Sequence, residues 1–226
     1  LSRKYIHMYT MNGTPSYLDF TEMICTHKNH LPHWQQGEVY QFVNWHLGDA
    51  IAASARRKIH FERRAWLKCH PKPWDAATRE EYEVNFGERV QHWLDQGRGE
   101  CILRQPNVAK IVADSLHFLN GKRYDLDAFV IMPNHVHVLF RPLSGNTLAN
   151  ILKSLKGFTA FKINQELQKE GSVWMEDYWD RMIRSEVHYL QVRNYIRDNP
   201  EMAGLREGEF VRWMGDIPVP TKTEKK

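Results

Sequence analysis

Met132-Pro133-Asn134-His135-Val136-His137-Val138-Leu139-Phe140 decides how the rest of this chain is read. Two histidines flank one bulky apolar residue at the start of an apolar run. Upstream, Tyr124 to Ile131 has the composition of a strand. Val138-Leu139-Phe140 continues as a second strand, and Pro133-Asn134 marks a turn between the two. Side chains alternate along a strand, so His135 and His137 share one face while Val136 and Val138 take the other. Two imidazoles side by side on a rigid strand can chelate one divalent cation. A pair of surface histidines on a half-exposed sheet has the same local pattern, and these two residues alone do not separate the readings.

The 226 residues suit one domain with elaborations and are enough for a full core. A hydrophobic content of 42% with 26% charged residues excludes a disordered or fibrous chain and fits a soluble globular one. The net charge of +4 is compatible with a nucleic-acid partner without requiring one. Cys25, Cys69 and Cys101 are widely spaced and form no Cys-x-x-Cys, which argues against a disulfide framework or a zinc knuckle and fits a reducing cytoplasm. No apolar run approaches membrane-spanning length and no signal peptide is visible. The first residue is Leu1, as expected where the natural start is missing or altered.

Outward from the histidines, residues 1–37 are polar, aromatic and irregular, and read as an arm with a turn at Met11 to Pro15 and a loop from His27 to His33. Glu38 to His46 is rich in β-formers and reads as the first strand. Residues 50–97 read as a helical hairpin. Its first helix is basic (Arg56, Arg57, Lys58, Arg63, Arg64, Lys68), Pro71 and Pro73 break it, and its second is acidic (Glu80, Glu81, Glu83, Glu88, Asp95) up to Gly97 and Gly99. Opposite-sign helices lying side by side account for both charge runs; a DNA-binding role for the basic helix is the alternative.

Pro106 to Asn120 is a marked helix, with Val108, Ile111, Val112, Ser115, Leu116 and Leu119 at helical spacing. Thr147 to about Gln168 is the next, with Leu148, Ile151, Leu152, Leu155 and Phe158 as its buried stripe and Lys153 and Lys156 on a common face. No acidic residue occurs from Ala128 through Gln165, which suits a phosphate backbone and equally a solvated helix face. Ser172 to Ile183 holds a strand and carries Trp174, Tyr178, Trp179, Asp180 and Arg181. Ser185 caps a last helix running to about Asp198, where Pro200 stops it. Tyr189, Val192 and Ile196 form its apolar stripe; His188, Tyr195 and Asn199 form the adjacent one.

Without the hairpin the order is β-α-β-β-α-β plus a final helix. This is the ferredoxin-like split pattern, an α+β fold with a mainly antiparallel sheet and helices on one face. The histidines then lie near the middle of the sheet. Residues 1–206 form a single domain with the helical insertion at about 50–97, and residues 207–226 form a C-terminal tail.

MPNHVHVLF, then NTLANILKSLKGFTAFKIN, then VWMEDYWDRMIRSEVHYLQVRNYIRDNPEMAGL resemble the HUH single-tyrosine transposases, and most closely their REP-associated tyrosine transposase branch, which carries an IS200-like transposase domain. The resemblance covers roughly residues 97–206, with the strand up to His46. It implies a ferredoxin-like domain that cleaves and rejoins single-stranded DNA at REP-type hairpins. It also implies a divalent cation, Mg2+ or Mn2+, held by the two histidines and by a polar residue four after the tyrosine. Carried over by position, His135 and His137 match the HUH pair, Tyr195 the nucleophile and Asn199 the third ligand. Trp174, Asp180 and Arg181 match family-typical positions; Arg181 suits a phosphate and Trp174 suits stacking on a base, and packing suits either equally. Lys153 and Lys156 are the further DNA-binding candidates. The family also implies a bacterial cytoplasmic protein acting at the nucleoid; this branch suggests a monomer, whereas related insertion-sequence enzymes are dimers. The tryptophan-rich ending usual in this branch is here only Glu209 to Met214 followed by a polar tail. Two other readings stay open: a domesticated protein that binds hairpins without cutting, and a replication or relaxase-type HUH nickase.

Overall fold

The two strongest β-forming runs pair with each other. In the computed structural model, which describes residues 17–18, 24–28, 32–71 and 74–216, β4 (Tyr124–Ile131) and β5 (His135–Pro142) form an antiparallel hairpin around Pro133-Asn134. β3 (Gln41–His46) pairs with the other edge of β5, β6 (Trp179–Met182) with β3, and β7 (Val211–Met214) with β4. The sheet order is β6-β3-β5-β4-β7, antiparallel throughout, so the histidine strand is central. Its first four strands are the split pattern expected from the sequence. Val211–Met214, within the stretch after 206 read as a C-terminal tail, supply the fifth strand. A separate two-stranded ribbon, β1 (Cys25–Lys28) with β2 (Pro32–Gln35), lies where an irregular arm was expected. The turn expected at Met11 to Pro15 lies outside the described residues.

One face of the sheet packs on α4 (Pro106–Leu119) and α5 (Leu148–Leu167) through Val43, Trp45, Phe129, Val136, Val138 and Phe140. Pro106 starts α4 at its first turn, and the Thr147 hydroxyl accepts from Asn150 N to cap α5. Phe158 does not belong to the buried stripe of α5: it is 54% exposed, and Thr159 is buried in its place. A step of four from Leu155 keeps Thr159 on the inner face, whereas a step of three rolls Phe158 off it.

The other face carries α6 (Glu186–Met202), packed on Ala128, Val130, Met132 and Leu139 through Tyr189, Val192 and Ile196. Helices therefore cover both faces, not one. The change of face within β4 comes from a bulge at Asp127, between Leu126 and Ala128, which puts Leu126 and Phe129 on the same side despite their odd spacing. Asp127 is fully buried and faces Arg193 of α6 at 3.4 Å. Pro200 does not end α6; the helix runs on to Met202. So near the terminus the missing N–H costs a single helical bond, and Ala203 N→Asn199 O and Leu205 N→Pro200 O close the last turn.

The hairpin forms as expected: α1 (Ala53–Cys69), then α2 (Ala76–Tyr82), a π-helical turn over Glu83–Glu88, and α3 (Arg89–Asp95). Aromatic packing joins its arms, Trp66 and Trp74 meeting Tyr82 at 5.3 and 4.9 Å between ring centres. Arg89 and Glu62 add an ion pair at 2.7 Å. Tyr82 also stacks on Trp179 of β6 at 5.8 Å, which fastens the hairpin to the sheet edge. Among the described residues no helix is long and apolar enough to cross a membrane.

Candidate metal and nucleophile site

Strand alternation puts His135 and His137 on the α6 face, and both are fully buried. Their Nε2 atoms face each other at 3.0 Å with the rings nearly perpendicular, at 87°. Asn134 orients the first of them. Its Nδ2 donates to the carbonyls of Leu94 and Arg98, both at 3.1 Å, which turns its Oδ1 toward His135 Nδ1 at 2.7 Å. An amide oxygen only accepts, so the proton of His135 sits on Nδ1 and its Nε2 keeps a lone pair, the tautomer a cation needs. Burial keeps both rings neutral. The pKa of His137 is pushed down to about 3 by desolvation, and that of His135 lies well below the ordinary value through burial and the neighbouring His137 and His46. His135 Nε2 thus presents a lone pair toward His137 Nε2, and two neutral imidazoles with their Nε2 atoms 3.0 Å apart fit a divalent cation.

Helix α6 brings Tyr195 to the pair. Its ring stands edge-on to His137 at 5.2 Å and to Phe42 at 5.9 Å. The phenol pKa is raised, first by burial and then by Asp95; Asn199 and Arg181 oppose the shift. Asn199 is one turn further along and 2% exposed. Neither its Oδ1 nor the Tyr195 hydroxyl has a hydrogen-bond partner of ordinary geometry, although the amide lies near enough to the phenol to favour its ionised form. Tyr189 and Tyr178 are each 6% exposed, and Tyr189 is packed beside Asp127 and Tyr40.

The structure also brings residues to this place that the sequence reading passed over. The hairpin sends Gln91 of α3 between the histidines: its Nε2 is 3.4 Å from His135 Nε2, 3.3 Å from His137 Nε2 and 2.6 Å from Asp95 Oδ1. Asn44 of β3, opposite His137 in register, donates to Gln91 Oε1 at 2.9 Å. Asp95 lies 3.9 Å from His135, a neutral partner and so not an ion pair. Asn134 was visible in the motif itself, where it served only as a turn signal. Nothing in the acidic helix distinguished Gln91 or Asp95. Among the described residues no three His, Cys, Asp or Glu side chains make a ready metal cage, and amide oxygens have to serve as well.

The DNA-binding candidates divide. Arg181 lies opposite Phe42 on β6 and lines a cleft of about 740 Å³ between the hairpin, the sheet and α6, with Arg56, Arg57, Arg63, Trp93 and Tyr195. Trp174 is not poised for a base: it is 4% exposed, its Nε1 donates to Thr159 at 2.9 Å, and its ring packs on Trp45. Lys156 holds the loop carbonyls of Glu176 and Asp177 at 2.6 and 3.2 Å, and burial lowers its pKa to about 8. Lys153 is exposed on α5, across the sheet from the histidines. His188 is half-buried along the cleft, its pKa lowered to about 4 by burial and by Arg181 and Arg184.

The buried histidines make folding acid-sensitive. Their folded pKa values lie below the unfolded value of about 6.5, so below that pH the unfolded chain binds more protons than the folded one. Their contribution to stability is fully present above about pH 6.5 and is lost progressively as pH drops below it, for His137 down to about 3. In EDTA the urea midpoint should drop markedly between pH 7.5 and 5.5, and less in a variant with both histidines replaced by asparagine. Equal drops in the two proteins would contradict the burial of the pair.

Part of the chain is similar to known proteins. Residues 103–199 match the model of the family described as "Transposase IS200 like". An uncharacterized protein of Haemophilus influenzae is 31% identical over a stretch covering 33% of this chain and 53% of its own, so this chain spans about half the length of that relative. A solved structure of a REP-associated tyrosine transposase bound to a REP hairpin aligns with a TM-score of 0.45 and 12% identity, covering 76% of this chain and 72% of that one. His135, His137, Tyr195 and Asn199 all fall within the stretch that matches the IS200-like transposase family model.

Proposed function

We propose that this protein cleaves and rejoins single-stranded DNA at hairpins of the REP type through a covalent bond to Tyr195. The observation that carries the reading is the seating of Tyr195 against His137, at the end of a cleft lined by four arginines and several aromatic rings. Arg56, Arg57, Arg63 and Arg181 suit a phosphate backbone, and the half-buried Trp93 and Trp179 offer faces or edges to unstacked bases. Duplex DNA has no unstacked bases to offer.

The Tyr195 hydroxyl attacks the scissile phosphorus in line, forming a bond to the 5′ phosphate as the 3′-oxygen departs. The phosphodiester energy is conserved in the phosphotyrosine, so a 3′-hydroxyl can reverse the step without ATP. Burial holds the phenol protonated, and Arg181 and Asn199 are the neighbours that favour its ionised form. His135, His137 and Asn199 would hold Mg2+ or Mn2+, whose charge offsets that of a non-bridging oxygen and of the leaving 3′-oxygen.

Binding is tested with a labelled hairpin carrying a single-stranded flank. If four arginines each meet a phosphate, the slope of log affinity against log salt is about −3, so fourfold more salt weakens binding about fifty-fold. Cleavage of a perfect duplex without an extrudable palindrome, as fast as that of the hairpin, would overturn the reading.

A further inference from the structure

The hairpin insertion brings Gln91 against both histidines and Asp95 to 3.9 Å from His135. We infer that Gln91 and Asp95 of α3 are cation-binding residues, whose side-chain oxygens join His135, His137 and Asn199 in the ligand set of the divalent cation proposed above. The inference rests on that proposal.

Hydrogen-bond capacity is the first argument. Three polar atoms converge on Gln91 Nε2: Asp95 Oδ1 at 2.6 Å, His137 Nε2 at 3.3 Å and His135 Nε2 at 3.4 Å. With both imidazoles in the Nδ1–H tautomer that a cation selects, the two amide hydrogens would face three lone pairs, and a cation satisfies them together. The second argument is spacing. The two Nε2 atoms and the Gln91 terminal atom form a triangle with sides of 3.0, 3.3 and 3.4 Å. Adjacent ligands about 2.1 Å from an octahedral ion stand about 3 Å apart, so the triangle has the dimensions of one face of an octahedron.

Half a turn of the Gln91 amide exchanges its nitrogen and oxygen and leaves the rest of the side chain in place. The oxygen then completes the triangle, and Asn44 answers with its own oxygen after the same rotation. Oε1 would then oppose Asp95 Oδ1, and a cation between them turns that repulsion into attraction. Charge is the third argument. Two neutral imidazoles and an amide bring none, whereas Asp95, 3.9 Å from His135, supplies a carboxylate. The end of α3 is fastened at this spot. Asn134 bonds to Leu94 O and Arg98 O, and Asp49 accepts from Glu100 N at 2.7 Å beside Gly99, where a Cβ would meet Asp49 Oδ2 at 2.8 Å.

The test is a titration of the full chain with Mn2+ alone, followed by electron paramagnetic resonance, with melting in EDTA as the check on folding. Gln91→Ala and Asp95→Asn should each weaken Mn2+ binding about tenfold or more. Gln91→Glu should tighten it, because both terminal atoms are then oxygens. A merely structural Gln91 would leave Gln91→Glu, with its second carboxylate beside Asp95, binding no tighter than Gln91→Ala, and that result overturns the assignment of Gln91. Wild-type Mn2+ affinity in both Gln91→Ala and Asp95→Asn overturns the inference and leaves the histidine site standing. Failure of the unmutated chain to bind Mn2+ removes both.

Discussion

Tyr195→Phe should lower the yield of covalent protein–DNA adduct by at least about a thousandfold and leave hairpin affinity nearly unchanged. The hydroxyl is the nucleophile in the proposed reaction, and it has no hydrogen-bond partner of ordinary geometry, the Asn199 amide being its near neighbour. Its removal therefore strands no buried group, and phenylalanine keeps the edge-on contacts with His137 and Phe42. The variant should fold with the stability of the parent. Adduct formation is read on a denaturing gel and affinity by gel shift with the same oligonucleotide. An adduct of ordinary yield from the variant would transfer the role to another tyrosine. Tyr189 and Tyr178 are poor heirs, because both are buried, whereas Tyr195 is only half-buried and stands against His137.

The second large effect belongs to the histidines. His135→Ala and His137→Ala should each abolish cleavage, and the double variant should be scarcely worse than either single one, because the two Nε2 atoms 3.0 Å apart act as one unit. The loss should fall on the chemical step, since the cleft that would carry the strand is built largely from other side chains. EDTA should inhibit the unmutated chain, and Mg2+ or Mn2+ should restore it. Asn199→Ala should share the phenotype, since its Oδ1 is buried without a partner of ordinary geometry. Full activity of Asn199→Ala at low metal concentration would remove Asn199 from the site. Normal cleavage by both histidine variants would return the pair to mere structure.

Much of this arrangement was legible in the residues. The alternation in MPNHVHVLF put both histidines on one face, and the steps of seven and four put His188, Tyr195 and Asn199 along one side of α6. Both are local periodicities, which a backbone obeys whatever surrounds it. What stayed hidden depends on contacts far apart in sequence. The bulge at Asp127 is set by pairing with β5, the docking of the hairpin by Tyr82 against Trp179, and the entry of Gln91 by register over 44 and 46 residues of separation. Trp174 was ambiguous because an indole serves a base and a core equally well; Thr159, fifteen residues away, settles it as packing. Pro200 misled for a related reason: a proline in the last turn of a helix costs one bond, and burial of Asn199 and Pro200 against the sheet outweighs it.

The central claim is that Tyr195 becomes covalently joined to DNA. The most direct measurement incubates the full chain with Mg2+ and single-stranded oligonucleotides carrying palindromes from the flanking genome, digests the denatured product and locates the modified peptide by mass spectrometry. The account predicts a nucleotide attached through its 5′ phosphate to Tyr195 in the peptide between Arg193 and Arg197. A modified tyrosine elsewhere, or cleaved DNA with no protein attached to it, would contradict it.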